Sequence, residues 1–237
     1  MILSSWNHAF FRNPSGRPRR SPSTFPMGIS GRYYPSKYLN FDGTDDRVDL
    51  PSTNTIFGAS QDVTVEMWID PWATTDFLRI FCQKASDSND FMICQVNSNI
   101  TLFTNGAVNR CIGAKYTTTG GWFHLAVTRS GSTHNVFKNG LLTTAASGST
   151  AGASNRNTIG CRYTTSYGGF FKGRLWNLRV WNRALSQAEI GRWMNMDPKP
   201  NRSDLLMWLP MNEAAGTTLS DVTGNGWNGT ITGCTWV

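Results

Sequence analysis

The sequence predicts an all-β protein, an antiparallel two-sheet sandwich with one short helix, preceded by an extended N-terminal arm. Three observations predict it. The 237 residues are rich in glycine (23), tryptophan (10) and phenylalanine (13) and only 16% are charged, a composition of short strands and turns. Apolar residues alternate with period two in segment after segment. The helical period takes over in one place, directly behind a capping box. A chain of this length buries a sizeable core, and no stretch approaches the roughly 18 consecutive apolar residues of a membrane span.

The arm, residues 1–37, holds five of the ten prolines: Pro14, Pro18, Pro22, Pro26 and Pro35. Proline fixes φ and lacks an amide hydrogen, so this segment is expected to run extended rather than as a helix or a paired strand. It carries Arg12, Arg17, Arg19, Arg20, Arg32 and Lys37 and no acidic residue. The remaining 200 residues have 16 basic side chains against 15 acidic ones, so the net charge of +7 belongs almost wholly to the arm. Arg17, Arg19 and Arg20, with Trp6, Phe10 and Phe11, are the candidate anchors to a partner. Three close arginines are a weak nucleic-acid signal, so another protein chain is the expected partner. The opening residues lack a basic stretch followed by an apolar core, and no secretory signal is expected.

From residue 38 the pattern is β throughout. Tyr38 to Phe41 and Arg47 to Leu50 flank an Asp-rich turn. Val63 to Asp70 alternates, with Val63, Val65, Met67 and Ile69 on one face and Thr64, Glu66 and Trp68 on the other. Arg79 to Gln83, Phe91 to Val96, Ile100 to Phe103 and Trp122 to Arg129 are further strands. Asn139-Gly140 between two extended runs predicts a two-residue hairpin turn with positive φ at both positions, joining 134–138 to 141–144. Phe170 to Asn182 is a long strand with Trp176, Leu178 and Val180 of one parity. Ser186-Gln187-Ala188-Glu189 then caps a helix reaching about Met194, stopped ahead of Pro198 and Pro200. Leu205 to Pro210 and Thr230 to Val237 are the last strands. The five cysteines, Cys82, Cys94, Cys111, Cys161 and Cys234, are odd in number and lack C-x-x-C spacing, so they are expected as reduced, mostly buried thiols.

Six stretches together resemble the laminin-G-like, concanavalin-A-like jelly-roll family. They are L-N-F-D-G-T-D-D-R-V (39–48), V-T-V-E-M-W-I (63–69), G-W-F-H-L-A-V-T-R (121–129), V-F-K-N-G (136–140), F-K-G-R-L-W-N-L-R-V-W-N-R-A-L-S-Q-A-E-I (171–190) and L-P-M-N-E-A-A-G-T-T-L-S-D-V-T-G-N-G-W-N-G-T (209–230). The likeness spans residues 38–237 and implies a jelly-roll sandwich that binds glycans or proteins and, in many members, a calcium ion near the F-D-G turn. In most relatives the D-x-x-G-N-G segment precedes F-D-G, whereas here it closes the chain. Neighbouring chain ends would tolerate that rotation.

Asp42, Asp45, Asp46 and Asp49 crowd one turn, and Asp221 with Asn225 lies in another. Calcium takes six to eight oxygen ligands, which clustered carboxylates and turn carbonyls supply. The resemblance implies that Asp42 and Asp221 share the ion, while local hydrogen bonding within each turn explains the same residues without a metal. Trp72, Tyr163 and Tyr167 fall in Gly/Ser/Thr-rich loops and are the candidates for stacking on sugar rings, with ordinary loop packing as the alternative. No catalytic residue is assigned. Glu66 and Asp70 are the only strand acids at a suggestive spacing, and Glu66 reads as a solvated outer-face residue. His124 and Ser130 make no nucleophile–base pair. The expected role is a non-catalytic structural and binding protein: a virion component such as a bacteriophage capsid decoration, made in the host cytoplasm, anchored by its arm and displaying a lectin-like domain at the virion surface. A soluble, calcium-dependent carbohydrate-binding module is the alternative.

Overall fold

Period-two alternation becomes two stacked antiparallel sheets in the computed structural model, which describes residues 35–53, 55–73, 77–86, 89–104, 109–116, 121–148 and 156–237. Trp6, Phe10, Phe11, Arg17, Arg19 and Arg20 of the arm lie outside the described residues. In chain order the first strands are β1 (Leu39–Asp42), β2 (Arg47–Asp49), β3 (Val63–Pro71), β4 (Phe77–Ser86), β5 (Asn89–Val96) and β6 (Asn99–Thr104). Next come β7 (Asn109–Lys115), β8 (Phe123–Ser130), β9 (Thr133–Lys138), β10 (Leu141–Ser147) and β11 (Asn157–Ile159). A small hairpin, β12 (Arg162–Tyr163) and β13 (Tyr167–Gly168), leads to β14 (Lys172–Trp181) and helix α1 (Gln187–Trp193). The chain closes with β15 (Leu205–Leu209), β16 (Thr218–Leu219), β17 (Gly229–Thr232) and β18 (Thr235–Trp236).

The first sheet runs β10-β9-β8-β3-β14-β1-β18 with β15 also on β14, and the second runs β16-β17-β2-β11-β4-β5-β6-β7. Register places one apolar residue of each strand in a common row. In the first sheet Val136, Val127, Val65, Val180 and Met207 are lateral neighbours. In the second, Ile231, Val48, Ile159, Phe81, Ile93 and Leu102 are. All eleven are buried, and the two rows face each other across the sandwich core.

The outer face of the first sheet is buried as well. Its row is Phe137, Ala126, Glu66, Arg179 and Trp208, and Leu185, Ile190 and Trp193 of the α1 region close over it together with Trp181. This corrects the reading of Glu66 as solvated: it is fully buried beneath the helix. The capping box that starts α1 is complete, with Ser186 Oγ accepting from Glu189 N and the Glu189 carboxylate accepting from Ser186 N. Seven residues are too few to hold a helix in water, so α1 depends on this layer.

Two local expectations change. Asn177 adopts φ +57° at a bulge in β14, and the inserted residue turns Trp176 outward onto Trp68 while Leu178 and Val180 face the core. The final run is not one strand: it breaks at Gly233 (φ +79°), so that β17 joins the second sheet and β18 the first. The Asn139-Gly140 turn is as expected, with φ +52° and +77° and Lys138 opposite Leu141. Tyr38 and Val237 exchange backbone hydrogen bonds of 3.2 Å, the neighbouring ends that a rotated segment order requires. Cys82, Cys94 and Cys161 are buried and Cys234 is half-buried, all as free thiols. Burial pushes the Cys161 thiol up to about 12, far from reactivity.

Candidate functional site

The outer face of the second sheet is accessible only towards its β17–β2 end, where Thr230 is exposed and Asp49 half-buried, while Thr158, Cys82, Met92 and Phe103 of the same row are buried. Its lateral row begins with Thr230, Asp49 and Thr158 and continues with Cys82, Met92 and Phe103. Polar residues therefore occupy one half and an apolar cluster of Cys82, Met92, Cys94 and Phe103 the other. The β12–β13 hairpin stands over the polar half. Between hairpin and sheet lies a cleft of about 360 Å³ lined by Asp49, Arg156, Asn157, Thr158, Tyr163 and Tyr167, among others. That volume suits one or two sugar rings.

Tyr163 and Tyr167 are cross-strand partners with ring centroids 4.7 Å apart and planes at 56°. The hairpin is only two residues per strand, so its rings need outside support. Tyr167 Oη donates to Asp49 Oδ1 at 3.0 Å, and Arg47 pairs with Asp49 Oδ2 at 3.1 Å while its guanidinium lies 4.1 Å from the Tyr167 ring centre. Arg156 sits 4.6 Å over Tyr163. Burial, then the bond to Asp49, raises the Tyr167 phenol, so it stays a donor at neutral pH. Burial works against the Arg47 charge, yet Tyr167 and Asp49 outweigh it and raise its value. The result is a pair of rigid aromatic faces above a floor of hydroxyl, amide and carboxylate groups, the chemistry of a site for a polyol with one apolar face.

Of the three aromatic candidates, Tyr163 and Tyr167 come together here and Trp72 does not. Trp72 follows β3 in the first sheet, donates its indole N–H to Asp70 Oδ2 at 3.1 Å and carries Arg174 over its ring at 4.6 Å. Asp49, Arg47 and Arg156 are neighbours of the tyrosines that local sequence reasoning did not assign to them. Residues 49, 158 and 230 are joined only by strand register, which leaves no local pattern to find.

Asp42, Asp45 and Asp46 form one acidic group, with a carboxylate oxygen of each within 4.8 Å of the others. Asp42 Oδ1 accepts from Thr44 N and Asp46 Oδ2 from Asp42 N, both at 2.7 Å. Burial first, then the charges of Asp42 and Asp45, raises the Asp46 carboxyl. Hard oxygen donors under mutual repulsion fit calcium. Asp221 is not a member of this group. Its Oδ1 accepts from the amides of Trp208 and Thr223 and its Oδ2 from that of Trp227, each at 3.1 Å, and the Thr223 hydroxyl bonds it too. Those amides already use the oxygens that a cation would need, so Asp221 organises its own turn.

Neither strand acid faces a groove. Glu66 lies under α1, and Asp70 is 4% exposed and accepts from Gly121 N and the Trp72 indole.

A family model described as the concanavalin A-like lectin/glucanases superfamily matches residues 42–191. Among solved structures, a putative carbohydrate-binding protein from Bacteroides ovatus is similar at TM-score 0.68 and 16% identity, over 85% of this chain and 59% of that one. This chain thus spans little more than half of that protein. A SAP-like pentraxin from Limulus polyphemus is similar at TM-score 0.56 and 16% identity, over 83% and 95% of the two chains. Domain 4 of the extracellular arabinanase AbnA from Geobacillus stearothermophilus, solved with arabinotriose, is similar at TM-score 0.52 and 21% identity, over 65% and 75%. At these identities the likeness is one of fold. No curated protein sequence matches the chain.

Proposed function

Since this chain belongs to the concanavalin A-like lectin/glucanase superfamily, we propose that it is a non-catalytic glycan-binding protein whose ligand lies in the Tyr163–Tyr167 cleft. One observation carries the reading: two tyrosines from a minimal hairpin are braced by Asp49 and Arg47 over a polar floor, at the accessible end of the second sheet. A sugar ring stacks its C–H face on the tyrosines while its hydroxyls exchange bonds with Asp49, Asn157 and Thr158. The AbnA domain, held in its structure with arabinotriose, supports a saccharide as ligand on this fold. Glycan-array binding followed by calorimetry tests it. Tyr163→Ala with Tyr167→Ala is expected to weaken binding at least tenfold, on the order of 1.4 kcal/mol, while Trp72→Ala leaves it unchanged. Equal loss on Trp72→Ala with retention in the tyrosine pair would move the site to the first sheet.

Asp42, Asp45 and Asp46 are the residues that would hold calcium, and the ion would offset their mutual repulsion. A carboxyl whose value is raised on folding favours the fold at low pH and loses that contribution as pH rises through the raised value. Calcium is therefore expected to raise the thermal midpoint at pH 7 and much less near pH 4, and Asp46→Asn is expected to abolish the shift. Indifference of the midpoint to calcium and chelator would remove the ion from the account.

The basic, proline-rich arm supports a second element of the proposal: residues 1–37 fasten the domain to other protein chains of a particle, a virion surface in the reading developed above. Its six positive charges steer encounter with an acidic surface. A chain starting at Lys37 is expected to melt at the same temperature yet fail to join its particle. Incorporation of the shortened chain would show that the arm is not the anchor.

A further inference from the structure

We infer that this chain forms a symmetric dimer through strand β10, the exposed edge of the first sheet, so that the sheet continues from one copy into a second.

An edge strand carries a row of backbone groups without partners, and proteins blunt such rows by shortness, charge, proline or cover. Among the described residues, the other ends of the two large sheets are protected in these ways. β16 and β18 are two residues each, and the sequence of β7 includes Arg110 and Lys115. β15 is covered by a later turn, where Asn225 Nδ2 donates to the Leu205 and Leu206 carbonyls and Val222 N to that of Trp208. β10 differs. It is seven residues long, pairs only with β9, and residues 139–148 hold no charge and no proline. Five of its seven residues are exposed.

The ladder to β9 shows which of its groups face outward. Gly148 N donates to the Ser132 carbonyl at 2.9 Å, and Ala146 lies opposite His134. In an antiparallel pair the backbone groups of successive residues turn to opposite sides, so those of Ala145 and Ser147 point away from β9. Nearer the hairpin a bulge between Leu142 and Thr144 interrupts the ladder, and Gln187 Oε1 accepts from Leu142 N at 3.4 Å. The open stretch is therefore residues 145–147.

A second copy of the same strand is the occupant that fits. With no charge on β10, a two-fold axis near Ala145 sets no like charges against each other, and a charged partner segment finds no counter-charge on the strand. Alanine and serine side chains admit a neighbouring strand at the usual spacing of about 4.8 Å. Antiparallel pairing also lays the start of each strand beside the end of the other. Leu141 and Leu142, 64% and 48% exposed, thereby cover the small residues at the end of the second copy's β10. Leu141 is the most exposed large apolar side chain among the described residues. Each chain offers one such edge, so the pairing closes at two copies. The tyrosine cleft is left open. It lies over β17, β2 and β11, whereas β7 at the other end of that sheet runs beneath β9 and β10, where a Cβ on Gly113 would meet Val136 and Thr143.

Analytical ultracentrifugation of the full chain tests this, together with amide exchange. Wild type is expected to be dimeric at about 100 μM, a concentration at which a small strand-mediated interface is populated. The amides of Ala145 and Ser147 are expected to exchange more slowly there than at about 1 μM, where dilution releases them. Ala145→Lys and Ala145→Glu, at an exposed position, are each expected to be monomeric at the higher concentration, with an unchanged thermal midpoint in dilute solution. Mixed in equal parts they are expected to associate again, because opposite charges then meet across the axis. Ala145→Ser is expected to keep the dimer. The basic arm is present in every variant. A dimer kept by both charged variants, or one whose Ala145 and Ser147 amides exchange as fast as in the monomer, places the contact elsewhere and overturns the inference. A wild type that stays monomeric at the higher concentration overturns it too, and leaves the edge to a strand of another protein. The exchange reading needs no substitution, so it decides the matter even where a charged variant melts early.

Discussion

Replacing Glu66 with alanine is expected to destabilise the domain by about 3–5 kcal/mol, the usual cost of breaking a buried ion pair from one side. At roughly 2–4 °C per kcal/mol for a domain of this size, the thermal midpoint should fall by on the order of 10 °C. Glu66 Oε1 accepts from Trp181 Nε1 at 3.0 Å and from Arg179 Nη1 at 3.5 Å, and His124 Nε2 lies 3.4 Å from Oε2. Arg179 also donates from Nη1 to the Trp193 carbonyl and from Nη2 to Asp197. Alanine leaves a guanidinium and an indole N–H short of partners in a place that water does not reach. Burial alone would raise the Glu66 carboxyl, but the bond and charge of His124, then Arg179 and Trp181, outweigh it and hold the carboxyl below its ordinary 4.5. A carboxyl lowered on folding contributes stability above its unfolded value, and loses it as pH falls through the folded one. Wild type should accordingly lose stability steeply below pH 4.5, and Glu66→Gln should show a shallower acid limb. Chevron or thermal data at pH 7 and pH 3 read both effects. A Glu66→Ala variant that melts with wild type would show that the network contributes nothing net.

Trp181→Ala is expected to cost a similar amount, about 3–5 kcal/mol, by leaving a large cavity. Trp181 is fully buried and is the largest such side chain among the described residues. It stacks on Trp193 with centroids 5.6 Å apart and planes at 29°, in one cluster with Leu185, Ile190 and Leu205. Because its indole also serves Glu66, the two losses overlap, and the double variant should fall short of the sum of the singles. The seven-residue α1 leans on this stack for much of its packing, so in the variant amide exchange over 187–194 should lose protection ahead of the sandwich strands. Additive losses, or an α1 as protected as in wild type, would mean that the helix layer is held by something other than this stack.

Much of the fold was legible because strands announce themselves locally. Val63 to Ile69 alternates whatever lies around it, Asn139-Gly140 pays little for positive φ, and Ser186 with Glu189 completes its capping box within four residues. Short, low-contrast strands were not legible: β7, β11, β12, β13 and β16 run from two to seven residues and include neither a strict alternation nor a turn signature. The Asn177 bulge also escaped, since an inserted residue changes the facing of Trp176 without altering the alternating composition around it. The tyrosines stand out by their loop setting, whereas Asp49 reads only as a member of an acidic turn and Arg47 as the start of the run that follows it.

What the sequence by itself determined is everything decided within about ten residues: the β class, the single capped helix, the hairpin turn and the separate chemistry of the basic arm. These follow from backbone preference and side-chain period, which act between near neighbours. Only the tertiary structure decided which stretches of the outer sheet faces are covered and which are accessible. That choice turned Glu66 from an apparent surface acid into a buried anion, gave the Asp221 carboxylate to the amides of Trp208, Thr223 and Trp227, and assembled Asp49, Thr158 and Thr230 under two tyrosines. The physical reason is that burial and pairing depend on register between segments a hundred or more residues apart, and no local pattern encodes a distance of that kind.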